Sequence, residues 1–93
     1  MKYFSLLTIF LLAFQAFYAQ EQYTTNSKKA AQFFKEGLDS YRLNEYDEAL
    51  DRVNKAIDAD NEFVEAYIIK GQIFEGKEDY ENAITAYQKA IDL

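Results

Sequence analysis

The chain contains no cysteine, no proline, no histidine and no tryptophan. Without cysteine it has no disulfide framework, no thiolate metal site, no cysteine nucleophile and no residue for a lipobox anchor. The lack of histidine removes the commonest general base and the commonest metal ligand. Serines and threonines are present, but with no histidine and no Ser-x-x-Lys arrangement nothing activates them as nucleophiles. A non-enzyme without cofactors is therefore expected. Basic residues are also scarce. Ten Lys and Arg against sixteen Asp and Glu leave a net charge of −6, which argues against nucleic acid or an anionic membrane surface as a partner held by bulk electrostatics. What remains is apolar and aromatic: 49% of residues are hydrophobic and 17% aromatic, enough to argue against disorder over most of a chain that has room for one small domain.

Residues 1–19 differ from all that follows. Lys2 is the only charge before Glu21, and between them runs the apolar stretch YFSLLTIFLLAFQAFYA. A short positive n-region followed by an apolar h-region predicts a signal peptide, with cleavage after Ala19 and a periplasmic or secreted mature chain. Phe17 at −3 departs from the small residue usual there. The alternative is an uncleaved anchor, since the stretch sits at the lower limit of about 17 apolar residues for spanning a bilayer. Residues 20–27, QEQYTTNS, show no helical periodicity and predict a spacer whose Thr, Asn and Ser side chains compete for backbone hydrogen bonds.

From Ser27, a cap candidate, the pattern turns helical. Phe33, Phe34, Gly37, Leu38 and Tyr41 form an apolar stripe that fades at Leu43-Asn44, predicting a helix over 28–43. Tyr46, Ala49, Leu50, Val53, Ala56 and Ile57 carry a second stripe to about residue 59. Phe63, Tyr67, Gly71 and Phe74 mark a third helix that Gly76 helps to end, and Tyr80, Ala83, Ile84, Tyr87, Ala90 and Ile91 mark a fourth. Residues 37–59 return as residues 71–93. Gly37 recurs as Gly71, Tyr46 as Tyr80, Ala49 as Ala83, and Ala56-Ile57-Asp58 as Ala90-Ile91-Asp92, each thirty-four positions on.

That period, with these residues, resembles the tetratricopeptide repeat (TPR) family. Phe33, Gly37, Tyr46, Ala49, Val53 and Ala56 match its pattern in one repeat, and Tyr67, Gly71, Tyr80, Ala83, Tyr87 and Ala90 match it in the next. The resemblance implies an all-α fold of two helix-turn-helix hairpins, four antiparallel helices that begin an α-solenoid after the signal peptide. Its repeats would span 28–62 and 63–93. The small residues let paired helices approach closely while the aromatics fill the space between hairpins. A bulky side chain at Gly37 or Ala83 should cost roughly 1–3 kcal/mol by overpacking. Asn61 stands where the family usually has proline, and Asp60-Asn61 is turn-prone in its own right. The second repeat has no cap after it, so Ile84, Tyr87 and Ile91 are expected to be partly uncovered and open to self-association.

The same resemblance implies binding of a protein or peptide on a concave face. The family's groove positions fall on Ala31, Phe34, Leu38, Tyr41 and Arg42 in the first repeat and on Glu65, Ile68, Gln72 and Glu75 in the second. Chaperone-binding members carry Lys and Asn where this chain has Phe34 and Leu38, so an apolar groove suited to a partner helix is expected instead of a carboxylate clamp. Two readings of Phe34, Leu38 and Tyr41 stand: they line that groove, or the spacer or a neighbour covers them. The segment YTTNSKKA also resembles the start of Gram-negative envelope proteins in which TPRs precede a β-propeller and a peptidoglycan-binding domain, which implies a periplasmic scaffold or an outer-membrane-associated assembly factor.

Acidic clusters carry no site. Asp58, Asp60, Asn61 and Glu62 alternate oxygens as a calcium loop does, yet its sixth and twelfth positions would hold Phe63 and Ile69 instead of Gly and Glu. The pairs Asp47/Glu48 and Glu78/Asp79 sit where helix N-termini favour negative charge.

Overall fold

The computed structural model describes residues 8–9, 11–12 and 23–93. Most of the expected signal peptide, its cleavage point and spacer residues 20–22 lie outside the described residues. From Tyr23 onward the regular structure is helical: α1 (Lys28–Arg42), α2 (Tyr46–Ala59), α3 (Val64–Gly76) and α4 (Tyr80–Asp92). Among the described residues no helix is long and apolar enough to cross a membrane.

The helix boundaries follow from local chemistry. Ser27 is the N-cap of α1, its Oγ accepting from the Ala30 N–H at 3.0 Å. Helices α1 and α3 end alike. The Asn44 N–H donates to the Tyr41 carbonyl and the Glu45 N–H to the Ser40 carbonyl; thirty-four positions on, Glu78 donates to Glu75 and Asp79 to Phe74. These are paired Schellman closures, which place the residue after the cap in the left-handed region. Asn44 and Glu78 take that place with φ of 60° and 59°. Glu78 is therefore a helix terminator and not the N-terminal dipole partner expected of the Glu78/Asp79 pair. Asp79 does cap α4, its carboxylate accepting from the Asn82 N–H at 3.3 Å. Asp47 and Glu48 fall in the first turn of α2.

Helix α1 packs on α2, α2 on α3 and α3 on α4, while α1 also touches α3. The first helices of the two hairpins thus form the inner layer and the second helices the outer one. The core cluster comprises Ala30, Phe34, Ala49, Val53, Ala56, Phe63, Ala66 and Ile73. Close approach explains the glycines. A Cβ on Gly37 would lie 2.6 Å from Val53 Cγ2 and 3.3 Å from the Ala49 carbonyl oxygen, and one on Gly71 would lie 2.5 Å from the Tyr87 ring.

Three expectations need correction. Gly76 does not end α3 through backbone freedom, because no glycine has positive φ; it is small because the Tyr46 ring of the preceding repeat lies where its Cβ would be, 2.6 Å away. Phe63 is not within a helix but is the N-cap residue of α3, fully buried beneath it. Tyr80, the counterpart of Tyr46, is 60% exposed, since no described element presents a second Gly76 to it.

Candidate partner-binding face

The expected groove residues all lie on α1 and α3, but in unequal states of burial. Phe34 is 4% exposed and belongs to the core, so with the spacer in place it does not line an open groove. Its ring packs against Phe63 at 5.0 Å between centroids and makes a T-shaped pair with Tyr23 at 5.2 Å. Of the two readings of Phe34, cover by the spacer is the one the geometry supports. Leu38 and Tyr41 are half-buried, resting on the core while keeping part of their surface open. Ile68 is exposed, and Gln72 is half-buried beside it on α3. Arg42 lies at the exposed end of α1, 3.9 Å from Asp39. Glu75 accepts a hydrogen bond from the Tyr87 hydroxyl across the second hairpin. Burial, aided by this bond, pushes the Tyr87 phenol up to about 12. Ala31 is half-buried, and Glu65 is engaged by the spacer.

That engagement is the part of the molecule the sequence did not announce. Residues 23–27 form a strap that crosses from α1 to the start of α3. The Thr24 N–H donates to both Glu65 carboxylate oxygens at 3.2 Å, and its hydroxyl donates to Glu65 Oε2 at 2.7 Å while accepting from the Val64 N–H at 3.0 Å. The Val64 amide is an orphan of the α3 N-terminus, and the N-cap residue Phe63 has no side-chain acceptor to offer it. Thr25 donates to Asp60 Oδ2 and accepts from the Ser27 N–H at 3.1 Å. The other Asp60 oxygen accepts from the Glu62 N–H at 3.0 Å. The Thr25 bond first, and the Glu62 bond second, hold the Asp60 carboxyl below its ordinary range. Two signals foreshadow this arrangement: an aromatic in a polar segment, Tyr23, and hydroxyls on consecutive residues, Thr24 and Thr25.

A tetratricopeptide repeat model matches residues 34–93, more than half of the chain. The DnaJ protein P58IPK homolog of Arabidopsis thaliana is 32% identical over 96 residues, covering all of this chain and 20% of that protein. Two crystal structures of MamA superpose with a TM-score of 0.67 at 30% identity, each covering 72% of this chain and 39% or 37% of the other. The chain thus spans about a fifth of the DnaJ relative and under two-fifths of the MamA chains. The matched segment is the one in which Gly37 and Gly71, Ala49 and Ala83, and the paired Schellman closures recur at thirty-four residues. The chain belongs to the tetratricopeptide repeat family, and its two hairpins form a protein-interaction module.

Proposed function

We propose that this protein is the non-catalytic adaptor of an exported assembly, holding an apolar peptide or partner helix on the inner face of α1 and α3. The observation that carries this reading is the open apolar surface of Leu38, Tyr41 and Ile68 in the inner layer, with Gln72 and Arg42 at its edge. A helix with anchors at i, i+3 and i+4 spacing fits such a strip. Export rests on residues 1–19, whose charge and apolar pattern is that of a signal peptide. Purified protein carrying Leu38→Asp and Ile68→Asp should lose the partner that the native chain retains from envelope extracts, at unchanged helical circular dichroism. Equal retention by both would refute the apolar face. Mass spectrometry of the mature chain should find Gln20 at its N-terminus.

A second reading makes these repeats the N-terminal spacer of a larger cell-envelope assembly protein. The exposed outer face of α4, with Ile84 67% and Ile91 76% accessible, supports it. An antibody to the repeats should then detect in cells a polypeptide much larger than 10.9 kDa.

A further inference from the structure

The strap sits on the repeats as a bound ligand would, because its aromatic ring and both its hydroxyls meet groups of α1, α3 and the loop before α3. Phe34 and Phe63 are core residues whose rings make a slot at one end of the inner layer. The Asp60 carboxylate is oriented by the Glu62 N–H, and Glu65 lies in the first turn of α3. Into this setting Tyr23 places its ring against both phenylalanines, 5.2 and 5.9 Å between centroids, while remaining 39% exposed. Thr24 and Thr25 then satisfy the polar groups in order along the chain.

We propose that the slot formed by Phe34, Phe63, Asp60, Val64 and Glu65 is a peptide-binding site for a short bent segment in which an aromatic residue is followed by two hydroxyl residues, and that Tyr23–Thr25 occupy it in cis.

The chemistry sets the specificity. At the second position one atom must accept from the Val64 N–H and donate to the Glu65 carboxylate, and among small side chains only a hydroxyl does both. Valine there would leave the Val64 amide unpaired and Glu65 with only the backbone N–H of that residue, and serine would serve as well as threonine. At the third position Asp60 again needs a donor. Acidic or phosphorylated residues at either place would face the like charges of Asp60 and Glu65. The aromatic contributes ring packing on the two phenylalanines beyond simple burial. Because the cis segment is joined to α1 within a few residues, its effective concentration is about millimolar, and an outside peptide competes only when the strap is released.

The site uses none of Leu38, Tyr41 and Ile68, so its test stands apart from that of the inner apolar face. The full chain carrying Tyr23→Ala and Thr24→Val should bind a fluorescein-labelled peptide of residues 20–27, and the native chain should bind it roughly a hundredfold more weakly because its own strap competes. The same peptide with valine or phosphothreonine in place of Thr24 should bind neither chain. No binding to the double variant at native helical content, or equal binding of the valine peptide, would overturn the proposal. An arm independent of the variant's folding uses the native chain: at several millimolar unlabelled peptide, the chain's own Thr24 and Thr25 amide shifts should move toward those of a free segment as the strap is displaced, while Leu38 and Ile68 stay fixed. Unmoved shifts at Thr24 and Thr25 would also overturn it.

Discussion

Glu78 carries the clearest local cost in the molecule. A left-handed backbone costs a residue with a Cβ roughly 1–2 kcal/mol, and Glu lacks the short side chain that lets Asn bear it. Its counterpart Asn44 is better suited and further held by the Tyr46 hydroxyl, which donates to Asn44 Oδ1 at 3.1 Å. Glu78→Gly should therefore stabilise the fold by about 1 kcal/mol, seen as a higher urea midpoint at unchanged slope, whereas Asn44→Gly should gain less or lose. Tyr87 offers a test at the opposite end of the pH scale. Its phenol rises from 10.0 to about 12, first through burial and then through its bond to Glu75. The fold thus favours the protonated phenol, so the contribution is fully present below pH 10 and is lost as pH rises through about 12. Tyr87→Phe should remove this part of the alkaline loss, measured as the difference between the two chains in melting temperature across that window.

Helix α3 shows what the repeat pattern conceals. It is sandwiched between α2 and α4 and also touches α1, so apolar residues occur around much of its circumference. A single stripe read as Phe63, Tyr67, Gly71 and Phe74 consequently missed Ala66 and Ile73, both fully buried. The helices α1, α2 and α4 were legible because each has one dominant buried face. The cap of α3 was not, because its acceptor comes from Thr24, forty residues earlier in the chain. No local signature of Phe63-Val64 could reveal it. The same contact makes a prediction. Thr24→Val keeps shape but removes the acceptor for the Val64 amide, and should cost about 1 kcal/mol, the usual value of an N-cap. Thr24→Ser should be close to neutral. Amide exchange at Val64 should accelerate in the valine variant while exchange in the middle of α4 changes only with global stability, separating a cap from general destabilisation.

At the scale of the whole molecule, the thirty-four-residue period allows one face to be judged against another copy of itself. Leu50 and Ile57 on α2, the helix that lies between α1 and α3, are half-buried and packed on the core. Ile84 and Ile91 hold the same positions on α4 and are 67% and 76% exposed, with Tyr80 at 60% on the same helix. Burying an aliphatic side chain fully contributes roughly 1.5–3 kcal/mol, so covering two isoleucines and a tyrosine is a substantial driving force. The expectation of uncovered residues on the last helix thus has its basis in the repeat: the sequence at these positions suits an interface, and α4 presents it to solvent. A second copy offers the same apolar surface, and two-fold pairing lets α4 meet α4 with each isoleucine facing its equivalent region. The chain should therefore sediment as a concentration-dependent mixture of monomer and dimer. Ile84→Lys with Ile91→Lys should return it to monomer without loss of helical signal, because neither residue belongs to the core. A dimer that persists in that variant would place the association elsewhere.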